Sequence, residues 1–335
     1  MGKIRLLFLF ALSLFLLSSC DAIASVENRG KKESSSICVA SWNVQNLFDT
    51  VLDGTEYDEY KPSEGWTDDA YKKRLSNARR VLGYLPEAGE RIIILNEIEN
   101  PKVVEDLINS KNIANLGLHW YVCAGTEGGA IRTAVISSIP IAAAHVHEVG
   151  DNLRPVLEVC FDTSCCKIFV LAVHLKSNVG GVSETSGARR KAAEVAVRIA
   201  RSLESEFPGC LVLICGDMNE ECWDDGIMGR SKASDSPLKV SDSFQRGFWH
   251  CFWLETGKEF FPGGSYFYNG SWKSYDNILI SASGQDSFGW EYCGCGVIFK
   301  GILKTADEKP NAWNRSLLTG VSDHLPVWIK LRKAD

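Results

Sequence analysis

No excess of positive charge marks this 335-residue chain: 36 Lys and Arg stand against 42 Asp and Glu, a net charge of -6 with a pI near 5.6. That balance excludes a protein that grips nucleic acid through bulk charge, because such binding needs many cations to displace counterions from phosphates. A local basic or metal-centred phosphate site is still allowed. The apolar run from Leu6 to Leu17 falls short of the roughly 20 residues a spanning helix needs. There is no internal repeat, and the 12 cysteines include no paired CxxC arrangement, so neither a solenoid nor a structural zinc site is indicated. What is present is globular: 45% hydrophobic residues, with 10 Trp, 15 Phe and 9 Tyr, enough apolar area for a large core.

Lys3 and Arg5, the apolar run and Ser18-Ser19-Cys20 form the charged, hydrophobic and small-residue parts of an export signal over residues 1–19. Leu17-Ser18-Ser19-Cys20 resembles the lipobox of bacterial lipoproteins, in which the Cys is acylated and becomes the new N-terminus. The expectation is an exported cell-envelope protein held to the membrane by acyl chains on Cys20. A plain secretory signal or an uncleaved anchor is the alternative. Residues 20–36 are polar and aperiodic and read as a flexible tether, leaving 37–335 as one folded domain. Cys38, Cys160, Cys210 and Cys215 lie in apolar runs and read as buried thiols. No disulfide pairing is assigned.

From residue 37 onward, short apolar strands alternate with amphipathic helices. Strands are expected at 38–44, 91–95, 120–123, 133–137, 156–161, 167–173, 211–215, 277–281 and 327–331. Tyr71, Leu75, Ala78, Leu82 and Leu85 form a helical stripe behind Thr67, Asp68 and Asp69, which suit a helix start. Val195, Ile199 and Leu203 form a second stripe, over about 188–206. Many strands with helices among them favour a single α/β unit built from more than one sheet layer.

Four of these strands run into polar residues: Asn96-Glu97, His174 to Asn178, Gly216-Asp217-Met218-Asn219, and Ser322-Asp323-His324 before the last strand. Any one of them alone is explained by turn capping or a satisfied core histidine. Together they point to one hard-cation and phosphate site. The stretches Ser41-Trp42-Asn43-Val44-Gln45-Asn46, Leu95-Asn96-Glu97-Ile98, Val173-His174-Leu175-Lys176-Ser177, Gly216-Asp217-Met218-Asn219, Tyr275-Asp276-Asn277-Ile278-Leu279 and Ser322-Asp323-His324-Leu325-Pro326 resemble, in order, motifs of the endonuclease/exonuclease/phosphatase superfamily. That metal-dependent group includes deoxyribonuclease I, abasic-site endonucleases, neutral sphingomyelinases and inositol polyphosphate 5-phosphatases.

The resemblance implies a four-layer α/β sandwich, with two facing mixed β-sheets flanked by helices. It implies that Glu97 is the principal ligand of Mg²⁺ or Mn²⁺, with Asn43 nearby and Asp323 as a further ligand or water holder. It also implies that Asp217 orients or deprotonates the attacking water, and that Asn219 donates to a phosphate oxygen. His324, held by Asp276, would handle the phosphate or the water, and His174 would face the phosphate from the other side. The reaction would be in-line hydrolysis of a phosphate ester. Arg132 sits where many members carry Arg-Gly, but Thr133 replaces the Gly here. Lys176 reads equally as a phosphate contact or a solvated lysine, and Arg154 carries a weaker signal. Asn96 stands where Gln is common.

The metal site recognises phosphate, and the surrounding loops choose what is attached to it. The aromatic-rich residues 220–274 are the variable part. Export favours extracellular DNA or RNA as the substrate. A sphingomyelinase-like or inositol-phosphate-type phosphoesterase, or a surface lipoprotein that uses the fold as a non-catalytic scaffold, are the alternatives.

Overall fold

The structure is a computed structural model that describes residues 21–24 and 36–335, apart from residues 258 and 261. The export signal, Cys20 and most of the expected tether lie outside the described residues. All nine expected strands are present, most of them longer by one to three residues. Seven strands form one sheet, in the order Asp21–Ala24, Trp120–Gly125, Arg132–Ser137, Glu90–Ile98, Ser36–Leu47, Val327–Lys333 and Trp290–Val297. Asp21–Ala24, four residues of the expected tether, forms the edge of this sheet and pairs antiparallel with Trp120–Gly125. The second sheet has eight strands, and at its centre Asp276–Ile280, Leu211–Asp217, Lys167–His174 and Val156–Asp162 lie side by side. Both sheets are mixed: Ser36–Leu47 runs parallel to Glu90–Ile98, and Lys167–His174 parallel to Leu211–Asp217.

Alternation along the strands builds the layers. Ile37, Val39, Ile92, Ile94 and Val135 turn inward and join the second sheet's residues in one core, while Ala40, Trp42, Ile93, Leu95 and Ile136 turn outward. Each such buried aliphatic side chain contributes roughly 1.5–3 kcal/mol. The outward set is covered by helices Asp68–Leu82 and Pro101–Ile108, through Leu75, Ala78, Leu82, Val103 and Leu107. Thr67 caps the first of these, its side chain accepting from the Ala70 amide. Helix Val182–Glu206 covers the second sheet with Ala192, Val195, Ala196, Ile199 and Leu203. Helices therefore lie outside two facing sheets, which is the four-layer arrangement expected.

Candidate active site

The inward face changes character at one end of the gap between the sheets. On the strand Ser36–Leu47, the inward series Ile37, Val39 continues as Ser41 and Asn43, and on Glu90–Ile98 the series Ile92, Ile94 continues as Asn96. Opposite them, register places His174, Asp217 and Asp276 side by side on three adjacent strands. Hence one face of the second sheet delivers an imidazole and two carboxylates, which spacing in the chain alone does not reveal. Gly216 makes this possible, because a Cβ there would lie 1.8 Å from the Val173 carbonyl oxygen on the neighbouring strand.

Glu97 reaches the site through a backbone irregularity. In strict alternation it would share the helix-covered face of Ile93 and Leu95. It is instead the extra residue between Asn96 and Ile98, where the register with Arg132–Ser137 shifts, and its φ is +66°. Gln45 and Asn46, with φ of +56° and +53°, form a second bulge beside it. The Asn46 amide donates to Glu97 Oε2 at 2.9 Å, and the Gln45 amide to Asn43 Oδ1 at 3.0 Å. Strained backbone clustered at one place is characteristic of functional sites. Arg74, buried on the first helix, donates to the carbonyls of Val44, Gln45 and Val321 and so holds this bulge against the segment before Asp323. Gln45 Oε1 accepts from the amides of Asp323 and Trp313, fixing the approach to Asp323.

The polar side chains converge from both sheets. Asn43 Nδ2 donates to Glu97 Oε1 at 2.9 Å and to Asp217 Oδ2 at 3.1 Å. His324 Nδ1 lies 2.7 Å from Asp276 Oδ2, and its Nε2 lies 3.9 Å from Asp217 Oδ2. His174 Nε2 stands 3.8 Å from Glu97 Oε1 and 3.7 Å from Asp217 Oδ2, separations too long for hydrogen bonds. Asn219, at φ +51°, donates from its backbone amide to Asp217 Oδ1 at 2.9 Å and from Nδ2 to the Leu175 carbonyl at 3.2 Å. Tyr266 lies nearly parallel on the His324 ring at 4.4 Å. Trp42 Nε1 donates to the His324 carbonyl, and the Ser322 hydroxyl joins the Asn43 carbonyl to the His324 amide.

Asn96 serves the frame. Its Oδ1 accepts from the Asp217 amide at 3.0 Å, and its Nδ2 donates to the Val173 carbonyl at 3.1 Å and the Thr133 hydroxyl at 3.0 Å. One short amide thus bridges the two sheets directly behind the site.

Electrostatics sets the two histidines apart. Burial, with Arg154 and His324 nearby, holds His174 well below the usual histidine range. Burial acts the same way on His324, but the Asp276 and Asp217 carboxylates outweigh it and hold that imidazole well above the range. At neutral pH His174 is neutral and His324 is an imidazolium. Burial pushes the Asp217 and Glu97 carboxyls up, with Asp276 adding to the first and Asp323 to the second. The Asn43 amide opposes the rise in both.

Of the expected residues, Asn43, Glu97, His174, Asp217, Asn219, Asp276 and His324 therefore meet in one place, with Asp323 beside them. Lys176 is exposed and lines a cleft of about 260 Å³ next to His174, together with Arg154, Tyr57 and Glu127. Arg132 donates from Nε to the Glu99 carbonyl at 3.2 Å, a contact that ties two neighbouring strands. Sequence reasoning gave no role to Arg74, Gln45 or Tyr266. Gln45 lies inside a recognised stretch, but Arg74 sits in an ordinary amphipathic helix and carries no local signal.

Solved structures share this fold. Truncated TDP2 from Caenorhabditis elegans superposes with a TM-score of 0.55 at 16% identity, covering 89% of this chain and 97% of that one. An endonuclease/exonuclease/phosphatase family protein from Bacteroides thetaiotaomicron gives 0.54 at 15%, covering 90% and 97%. ANGEL2, a 2',3'-cyclic phosphatase, gives 0.55 at 14%, covering 93% and 100%. No curated protein matches the chain. The model of the Endonuclease/Exonuclease/phosphatase family matches residues 38–333, nearly the whole described domain, and the chain belongs to that family.

Proposed function

We propose that this protein is a divalent-metal-dependent phosphodiesterase that hydrolyses nucleic acid outside the cytoplasm. The observation that carries the reading is the convergence, at one place, of an Asp276-held His324 imidazolium with Asp217 and a Glu97 carboxylate steadied by Asn43. A non-catalytic scaffold has no use for this set, and leaving it buried is costly.

Among the described residues no three His, Cys, Asp or Glu side chains stand as a metal-binding group by themselves. The donors at the site nonetheless suit a hard cation that keeps most of its waters: Glu97 and Asp323 offer carboxylate oxygens, and Asn43 orients the first of them. Those residues would hold Mg²⁺ or Mn²⁺, whose contribution there is to neutralise charge on the phosphate. Asp217, with its raised pKa, orients the attacking water and accepts its proton. His324 donates to a phosphate oxygen, kept protonated and aimed by Asp276 and backed by Tyr266. Neutral His174 faces the phosphate from the opposite side. Asn219, whose turn Asp217 fixes, would donate the second hydrogen of its Nδ2 to a non-bridging oxygen.

A polymeric substrate is supported by the cleft beside His174, where Arg154 and Lys176 stand against the single acid Glu127. A second phosphate of the same strand would find cations there, which a substrate with one phosphate does not need. Consistent with this, the structurally similar TDP2 of D. rerio has been solved with a single-strand DNA product. Export and acylation of Cys20 complete the proposal.

The test is release of acid-soluble nucleotides from DNA and RNA with Mg²⁺, against EDTA and against Glu97→Ala and His324→Ala, alongside sphingomyelin and inositol phosphates. Metal-dependent release from nucleic acid, lost in both variants, is expected. Turnover of the lipid or inositol phosphates alone would replace the nuclease reading, and no turnover of any ester would favour the scaffold. Fatty-acid labelling that disappears in Cys20→Ser tests the anchor.

A further inference from the structure

Tyr266–Tyr268 and Ser271–Lys273 form a short hairpin beside the site. Asn269 and Gly270, with φ of +47° and +79°, make its two-residue turn, a geometry that matches the twist of the paired strands. The root of the hairpin is fixed on both sides: the Asp276 amide donates to Ser265 Oγ at 3.0 Å, and the Leu325 amide to the Ser265 carbonyl at 2.7 Å. Alternation gives the hairpin two faces. Phe267 meets Trp272, its partner across the strands, edge to face at 5.3 Å, and Trp272 packs in turn on Phe299 beside the first sheet's outer core. Tyr266 and Tyr268 share the other face, with rings 9° from parallel and centroids 6.0 Å apart. Tyr266 continues the stack onto His324, whereas Tyr268 is 57% exposed. Core packing explains Phe267, and support of His324 explains Tyr266. Neither explains an open tyrosine ring held parallel one step further out.

We propose, on the nucleic-acid reading of this same site, that Tyr268 is the surface on which an unpaired base of the substrate stacks, and that the substrate is therefore single-stranded. From Tyr268 a line of contacts runs through Tyr266, His324 and Asp217 to His174, and ends at the cleft with Arg154 and Lys176. A strand laid along that line sets one base on Tyr268, the scissile phosphate at Asp217 and a further phosphate beside the two cations.

Every base offers an apolar face, so an aromatic ring takes all of them with little regard to sequence. Within a duplex both faces of a base are covered by its neighbours, and freeing one costs the energy of unstacking. Grip on a duplex rests instead on many backbone cations, which a chain of net charge -6 does not supply. Because the hairpin holds the ring in place before the base arrives, little ordering cost is left for binding.

Binding is read by fluorescence anisotropy on Glu97→Ala protein, with and without Tyr268→Ala, and turnover on otherwise wild-type protein with Mg²⁺. The probes are an end-labelled DNA strand and its RNA counterpart, their duplexes, and a series carrying one abasic analogue at each position in turn. Single strands should be bound and cut at least about 10-fold better than duplexes. Tyr268→Ala should weaken binding and raise KM by about 10-fold while kcat holds, because the stack is made equally before and during the reaction. Tyr268→Phe should restore binding, and Tyr268→Leu should not. An abasic analogue at one position should cost the wild type as much as Tyr268→Ala does, and should cost that variant nothing further. Equal cutting of strand and duplex, unchanged binding in Tyr268→Ala, or additive losses from ring and base would overturn the proposal with nuclease activity intact. A wild type that hydrolyses no nucleic acid at all would instead sink the nuclease reading, and the stacked base with it.

Discussion

Burial pushes the Glu99 carboxyl up to about 8, with Asp49, Asp53 and Glu56 adding to the rise and only the Asp49 amide opposing it. Its Oε1 has no partner. A carboxyl raised on folding contributes stability that is complete below its unfolded pKa, roughly 4.3, and is lost as pH climbs through the folded value. Glu99→Gln should therefore gain on the wild type between about pH 5 and 9, by on the order of a few kcal/mol, in urea unfolding followed across that range. A difference that stays flat with pH would show that Glu99 is ionised throughout. At the site itself, Asp276→Asn keeps the shape but removes the charge that holds His324 protonated. Turnover should fall by about 10²-fold with little change in melting temperature, and equal activity in the two proteins would remove His324 from the chemistry. The residues named from the sequence are those whose neighbours in the chain also belong to the site, such as Asp323-His324. Arg74 was not legible, because its three carbonyl partners come from segments far away in sequence.

Elements with continuous apolar runs, such as Leu211–Asp217 and Glu90–Ile98, were readable because both of their faces are buried. The strand Ala143–His147 was not, since it is a half-exposed edge, and Trp290–Val297 was hidden by Gly294, Gly296 and its cysteines, which break alternation. The backbone turn that swings Glu97 inward had no signature either, although the residue itself did. Two substitutions probe how elements hold the site. Thr67→Ala removes the cap of Asp68–Leu82 and should cost about 1 kcal/mol in stability while sparing activity. Asn96→Ala cuts the bridge between the sheets and leaves the Asp217 amide without its acceptor, so a loss of roughly 2–4 kcal/mol together with reduced turnover is expected. Full turnover at that stability cost would mean that the bridge supports the fold alone.

For the molecule as a whole, neither sheet owns the site: Asn43 and Glu97 come from one, and His174, Asp217 and Asp276 from the other. A ligand that binds the assembled site and not the unfolded chain should stabilise the entire fold. Saturating Mg²⁺ is expected to raise the melting temperature of the wild type by a few degrees and to leave Glu97→Ala unmoved. An identical rise in both would place the ion elsewhere. The inward run from Ile37 and Val39 to Asn43 carries a consequence for how such chains can change length. A single inserted codon between Val39 and Asn43 would invert every side chain downstream, sending the amide beneath the helices and a greasy residue toward the phosphate, whereas a pair of inserted codons restores the facing. Insertions and deletions should therefore accumulate freely in the connecting loops, and enter these strands in even numbers, or singly where a bulge such as that at Glu97 absorbs the extra residue.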